Sequence, residues 1–207
     1  MRREPLAGPA HRFARGITEV LDVIEALRER RSIGKLDGDV SEADLRELIE
    51  FATWAPNHKL SEPWRFTVLR GAARERFGAL WAELAGRETD LTGEQRDEFL
   101  RRTAFKPMRA PVIVAVSVRT NEQPVRAVED FAAASAAVQN MLLGAHAKGL
   151  GAIWRTGEVA YWDEVKTFLG IDPTDRIVGF VYVGRPAMTA PPARPRALDA
   201  VIRVLDA

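Results

Sequence analysis

The feature that most constrains the fold of this chain is an alanine-rich stretch, Val125–Lys148, which is apolar on nearly every side around Val138–Ala147. Its pattern predicts one long helix that ends at Gly149 and Gly151. A helix that is apolar all round must be buried, either in the core of its own chain or against another subunit. The sequence therefore predicts a fold built around this helix, at the centre of a monomer or at a dimer contact.

Shorter elements surround this helix in the sequence. Apolar periodicity predicts further helices at Val20–Arg31, Ser41–Ala52 (where Ser41 and Asp44 resemble a capping box), Ala72–Leu84, Glu94–Arg102 and Val159–Leu169. Apolar, β-branched and aromatic runs predict strands at Trp64–Leu69, Pro111–Val118, Ala152–Arg155 and Ile177–Val183. Helices and strands are mixed without strict alternation, which favours the α+β class. We expect residues 1–16 to be a flexible N-terminal extension, with a transit peptide as the alternative, and residues 17–207 to form a single domain.

Composition excludes several classes of function. The chain has no cysteine, which excludes disulfides, thiolate chemistry and cysteine-ligated metal sites. Its formal net charge of +1 argues against a nucleic-acid surface, and no apolar run approaches the roughly 20 residues of a membrane span. We therefore expect a cytoplasmic protein that binds neither nucleic acid nor a membrane.

A basic cluster closes the first predicted helix: Arg30, Arg31 and Ser32, with Lys35 close behind. Arginine forms paired hydrogen bonds with phosphate, and a serine hydroxyl adds another donor. The same residues also suit a solvated helix end, where positive charge complements the helix dipole. The cluster is a candidate phosphate site, and composition alone leaves both interpretations open.

A polar loop, Asn57–Pro63, follows the second predicted helix and leads into the strand at Trp64. It contains His58, whose charge changes near neutral pH and which could bind a ligand or move a proton. A loop histidine without a role fits the sequence as well.

Glycines flank the short strand Ala152–Arg155 and continue into the next predicted helix. Turns of this kind can present backbone N–H groups to a ligand, here from Thr156 and Gly157. Ordinary glycine positions at strand ends are the alternative. The spacing differs from the G-x-G-x-x-G dinucleotide fingerprint, so a Rossmann domain is not supported.

The order and spacing of these three motifs resemble the nitroreductase family, most closely its small bacterial NAD(P)H nitroreductases. The likeness covers about Val20 to Pro186 and rests on Arg-Arg-Ser after the first helix, Ala-Pro-x-His-Lys before Pro-Trp, and Gly-x-Gly-x-x-Trp-Arg-Thr-Gly after the long helix. It implies a central mixed β-sheet surrounded by helices and an intertwined homodimer. Two FMN molecules would lie in the subunit interface, bound without a covalent bond.

The resemblance places the first motif at one end of FMN. Arg30, Arg31 and Ser32 match positions at the phosphate and ribityl end of the cofactor. Family members usually have a basic residue just beyond, near the pyrimidine edge. Here Gly34 stands close to that position, so the resemblance assigns the contact to its neighbour Lys35.

The other motifs match positions around the flavin ring. His58 and Glu62 would reach the flavin of the partner subunit, although the family commonly has glutamine in place of Glu62, and a carboxylate cannot donate and would be repelled by phosphate. Arg185 and Arg196 match basic residues near the phosphate. The segment whose backbone lies against the isoalloxazine and donates to N5 would be Trp154, Arg155, Thr156 and Gly157.

The chemistry implied by the family belongs to the cofactor. FMN would take hydride at N5 from NADH or NADPH and pass the electrons to a small, electron-poor acceptor, such as a nitroaromatic or a quinone, in a ping-pong cycle. No side-chain nucleophile or general base is needed. Two alternatives remain: a flavin-site relative with another reaction, such as reductive dehalogenation or flavin cleavage, and a flavin-binding protein without turnover.

Overall fold

The computed structural model describes residues 22–193 and 197–205. Its helices are α1 (Val23–Glu29), α2 (Glu42–Thr53), α3 (Ala72–Glu88), α4 (Gly93–Ala104), α5 (Pro124–Ala147) and α6 (Asp163–Leu169). Its strands are β1 (Leu36–Asp37), β2 (Trp64–Arg70), β3 (Val112–Val118), β4 (Gly151–Arg155) and β5 (Arg176–Pro186). The predicted α+β class is confirmed, whereas the predicted extension at residues 1–16 lies outside the described residues.

One sheet organises these elements, and β5 is its central strand. β3 pairs antiparallel with β5 and β2 with β3, while β4 and β1 also pair antiparallel with β5. Val112 of β3 and Ala152 of β4 are both register partners of Val183 in β5. The mixed character that we expected is limited, among the described residues, to one parallel bridge between Ser32 and Ala152.

Hydrophobic clusters cover both faces of the sheet. One cluster combines α2 and α5 with inward residues of β3, β4 and β5. The other combines α3 and α6 with the opposite face. Every residue of β3 is buried, as its continuous apolar run predicts.

The central helix α5 packs closely against α2. A Cβ at Gly144 would stand 2.3 Å from the Phe51 ring, so only glycine allows this approach. Of the small residues of α5 that a helix–helix dimer contact could use, Ala133, Ala134, Ala137 and Ala145 are buried within their own chain, whereas Ala132 and Ala147 are exposed. No helix in the described part of the chain is long and apolar enough to cross a membrane.

The outcome of the sequence predictions differs from element to element. The capping box is confirmed, since Ser41 Oγ accepts a hydrogen bond from the Asp44 N–H. The helix predicted at Val159–Leu169 is interrupted: a 3₁₀ turn at Glu158–Ala160 precedes α6, because Trp162 between them adopts an extended backbone. The two-residue strand β1 has no periodicity of its own and was not predicted from the sequence.

Candidate functional site

The first and third motifs lie side by side. Ser32 forms the parallel bridge with Ala152, and the Ile33 N–H donates to the Ala152 carbonyl at 3.1 Å. Further along, Arg155 Nη2 lies 3.9 Å from the Cβ position of Gly34. Because the two segments run in the same direction, Arg30 lies beside the start of β4 and Gly34 beside its end.

Arg30 is a half-buried cation with a free donor. Its Nη1 is buried and has no hydrogen-bond partner among the described residues. Burial, followed by the charge of Arg31, lowers the pKa of Arg30. A buried guanidinium with an unpaired donor is a favourable place for an anion.

The rest of the first motif is more exposed. Arg31 Nη1 donates to the carbonyls of Arg28 at 2.8 Å and Arg30 at 2.7 Å, so it satisfies the end of α1. This is the helix-end role that the sequence offered as the alternative. Ser32 and Lys35 are exposed, and the Lys35 carbonyl accepts a hydrogen bond from the Ala187 N–H at 3.0 Å.

A cavity of about 350 Å³ lies at the far end of β4. Its wall combines the third motif with residues from α3 and from the 3₁₀ turn that precedes β3. The lining residues are Trp81, Lys106, Arg109, Ile153, Trp154, Arg155 and Thr156.

This cavity is strongly cationic. Lys106 Nζ lies 4.7 Å from the centre of the Trp81 ring. The pKa of Lys106 is lowered by burial first and then by Arg109 and Arg155, while Glu158 opposes the shift. Three basic side chains therefore share one small space with an aromatic wall.

Two buried polar groups behind the cavity lack partners. The Arg155 guanidinium lies 5.4 Å from the Tyr182 ring, and neither Arg155 Nε nor the Tyr182 hydroxyl has a hydrogen-bond partner among the described residues. Burial raises the pKa of Tyr182 to about 12. The Trp154 side chain is directed away from Arg155 and Tyr182. Its Nε1 donates to the Val178 carbonyl of β5 at 3.3 Å, and this bond fixes Trp154 against the sheet.

The loop with His58 and Glu62 lies against the first half of α5. His58 Nδ1 is 3.7 Å from Glu129 Oε2, and Ser61 Oγ donates to the buried Asp130 at 2.8 Å. Glu62 has a positive φ of 42°, and its N–H donates to Asn57 Oδ1 at 3.0 Å. The Glu62 carboxylate is exposed and makes no ion pair within the described residues.

Within one chain, this loop lies away from the Arg30 motif. The loop contacts α5 at Asp130, whereas the charges of Arg30 and Arg31 act on His146 in the last turn of α5. At 1.5 Å per residue, these two positions are about 24 Å apart along the helix. His58 and Glu62 therefore lie far from the Arg30 motif of their own chain.

Arg185 lies on the side of the sheet near α2. Its Cδ is 3.1 Å from the Cβ position of Gly38, and its charge contributes to lowering the pKa of Asp44, after the hydrogen bonds of Ser41 and Lys148. Arg196, the other basic residue predicted in this region, lies outside the described residues.

The sequence analysis did not identify several residues of this region. Trp81, Lys106 and Arg109 line the cavity, Tyr182 is buried behind it, and His146 is half-buried near the first motif. Only the basic pair Lys106 and Arg109, placed just before a buried strand, offered a hint. Nothing in their spacing connects them to β4.

Comparison with known proteins assigns the class. The model of the Nitroreductase family matches residues 27–185, which include all three motifs. The chain belongs to the nitroreductase family.

Individual relatives and solved structures are similar over most of the chain. The chain is 33% identical over 172 residues to the Escherichia coli protein named "Putative NAD(P)H nitroreductase YdjA", covering 82% of this chain and 91% of that one. The crystal structure of a nitroreductase-like family protein from Bacillus cereus is similar with a TM-score of 0.79 and 27% identity, covering 92% of this chain and 99% of that chain. A Desulfovibrio desulfuricans protein solved in complex with FMN has a TM-score of 0.66 and 29% identity, covering 89% and 97% of the two chains.

Proposed function

We propose that this protein is an FMN-dependent NAD(P)H oxidoreductase that reduces small, electron-poor acceptors such as nitroaromatics or quinones. Two buried arginine nitrogens carry the proposal, Arg30 Nη1 and Arg155 Nε, which lie at the two ends of the parallel segments and have no partner in the part of the chain that the structure describes. The similarity to the FMN complex from D. desulfuricans and to YdjA supports the cofactor and the hydride donor.

The shape of the site fits FMN. The segment from Arg30 to Gly34 spans up to about 13 Å when extended, which is enough to separate a phosphate from a flavin ring across the ribityl chain. Arg30 and Ser32 would hold the phosphate end, while the backbone of Trp154–Gly157 and the cavity would hold the ring. Gly157 has a φ of 124°, a conformation that favours glycine and lets the backbone turn towards a ligand.

The side chains around the cavity supply charge and orientation. When bound, FMN supplies a hydride acceptor that NAD(P)H reduces and that passes electrons to the second substrate. The proposed ring end of the site is positively charged because three basic side chains line the cavity: Lys106, Arg109 and Arg155. The exposed Lys35 is therefore not the only source of positive charge for the flavin among the described residues. Trp81 offers a flat apolar surface for an aromatic ring.

We also propose a homodimer in which the partner's loop completes each site. Large apolar side chains stay exposed around that loop in a single chain: Trp54 at 77%, Leu60 at 81%, Val125 at 68% and Val128 at 67%. Exposed apolar side chains of this size favour association with another protein surface. His58 lies far from Arg30 in its own chain, so in this dimer the partner subunit's His58 would approach the flavin bound beside Arg30.

The alternatives differ in what supports them. Relatives with such specialised reactions typically carry an added lid, and the polar stretch Glu83–Arg102 is the candidate for one here. It forms the end of α3 and most of α4 and is packed, with Leu100 3.1 Å from the Cβ position of Gly86, so this stretch is not a separate lid. A flavin-binding protein without turnover is favoured by one feature, the unpaired carboxylate of Glu62.

FMN titration of the apoprotein tests the proposal. We expect purified protein to be yellow, to release FMN on denaturation, and to bind about one FMN per chain. Arg30→Ala should weaken FMN binding about tenfold to a hundredfold, because a buried charge-assisted hydrogen bond contributes about 1.5–3 kcal/mol. Arg28→Ala, on the exposed face of the same helix, is the control. A colourless protein that binds no added FMN would contradict the proposal, and equal affinities of both variants would show that the phosphate lies elsewhere.

A further inference from the structure

A second buried nitrogen near Arg30 belongs to His146. His146 is in the last turn of α5, is half-buried, and its Nε2 has no hydrogen-bond partner among the described residues. A buried polar atom without a partner is destabilising, and a ligand can relieve this cost. No step of the proposed reaction uses this histidine.

The surroundings of His146 are those of an anion site. The charges of Glu29, Arg30 and Arg31, at the end of α1, all act on its ring. Arg31 already donates to two carbonyls, whereas Arg30 Nη1 is buried and has no partner among the described residues. Because α1 packs against α5, the end of α1 brings this nitrogen and His146 Nε2 to the same helix contact.

Without an anion, the positive charges of Arg30 and Arg31 disfavour protonation of His146. Burial lowers the pKa of His146, Arg30 and Arg31 lower it further, and Glu29 opposes the shift. Burial also lowers the pKa of Arg30. A phosphate between them would reverse this balance, because it accepts hydrogen bonds from both and favours the charged imidazole. Position also favours the charged form, since cations are stabilised at the C-terminal end of a helix.

We propose that His146 joins Arg30 in binding the phosphate of FMN and becomes protonated when the phosphate is present. This inference rests on the proposed function. It assigns part of the cofactor affinity to a residue outside the three motifs. It also explains why a histidine is placed, with a free Nε2, beside a buried arginine.

Riboflavin separates this role from a purely structural one, because it has the same ring and ribityl chain but no phosphate. We expect His146→Leu to weaken FMN binding about tenfold near pH 6, while riboflavin affinity changes less than twofold. His146→Gln, which keeps a donor but cannot become charged, should fall between the wild type and His146→Leu. Arg28→Ala again serves as the control.

NMR gives a second readout. The chain has three histidines, so the His146 ring signal is identified by its loss in His146→Gln. FMN should raise the pKa of His146 by about one unit, which corresponds to the tenfold change in affinity. Riboflavin should leave this pKa unchanged.

Distinct outcomes overturn the inference. An equal loss of FMN and riboflavin affinity in His146→Leu would show a structural role. Unchanged FMN affinity, or a His146 pKa that FMN does not raise, would place the phosphate away from this residue. A wild-type protein that binds riboflavin and FMN equally would overturn this inference and leave flavin binding intact, whereas one that binds neither would overturn the proposed function as well.

Discussion

The indole of Trp154 lies directly over Gly179. A Cβ at position 179 would stand 2.2 Å from Trp154 Nε1, and Gly179 itself has a φ of 154°, which side chains rarely adopt. The register of β3 and β5 shifts at the same place, between Val116 and Ser117. This arrangement holds Trp154 in the core and fixes the end of β4, from which the proposed flavin segment continues.

Gly179→Ala should therefore destabilise the fold. The added methyl group would force Trp154 and its strand to move, at a cost of at least about 2 kcal/mol. Gly34→Ala is a matched control, because its nearest neighbour would be 3.9 Å away and the change should stay within about 0.5 kcal/mol. Denaturant unfolding measures both, and equal stabilities would contradict the role of this contact.

Glu62→Gln should tighten FMN binding. A carboxylate near the flavin of the partner repels a phosphate-bearing ligand, and removing one such charge in a solvated site is worth about 1 kcal/mol, or about fivefold in Kd. Glu94→Gln, another exposed carboxylate, should leave the Kd unchanged. Fluorescence titration measures the three affinities, and weaker binding by Glu62→Gln would show that the carboxylate makes a favourable contact.

Mixed dimers test whether two chains share each site. Arg30→Ala and His58→Ala should each weaken FMN binding in homodimers. In a mixed dimer, one site combines intact Arg30 with the partner subunit's His58 and should bind FMN as the wild type does. Co-expression with two affinity tags isolates this species. A mixed dimer with no wild-type-like site would place both residues in the same chain's site.

Tyr182 should make the stability of the flavin-free protein depend on alkaline pH. Burial raises the pKa of its hydroxyl from 10.0 to about 12, so the folded state keeps the proton that the unfolded state loses. This contribution, about 2–3 kcal/mol, is present below pH 10 and is lost as the pH rises towards 12. We expect Tyr182→Phe to remove this part of the decline between pH 9 and 11.5, measured by denaturant unfolding. The same decline in both proteins would contradict the assignment.

Several helices and strands could be predicted because a few sequence patterns are strong. The apolar run of β3, the capping box at Ser41 and the alanine-rich helix α5 each dictate one element. The family resemblance implied that the first motif and the residues of β4 contact the same FMN, but their pairing was not predicted. Its direct physical basis, the bridge between Ser32 and Ala152, depends on tertiary contacts.

The cationic wall of the cavity could not be predicted in the same way. Lys106 and Arg109 precede β3, whereas Arg155 ends β4, and only their shared packing beside β5 brings them together. Likewise, His146 is part of an ordinary apolar helix in the sequence. Its proposed role in binding phosphate depends on the end of α1, which the fold brings close to it.

Anaerobic reduction of the FMN-loaded protein tests the central claim most directly. NADH or NADPH, added in the absence of oxygen, should bleach the flavin absorbance, and a nitroaromatic or quinone added afterwards should restore it. Flavin that stays oxidised with both nicotinamides would contradict the oxidoreductase and leave a flavin-binding protein without turnover.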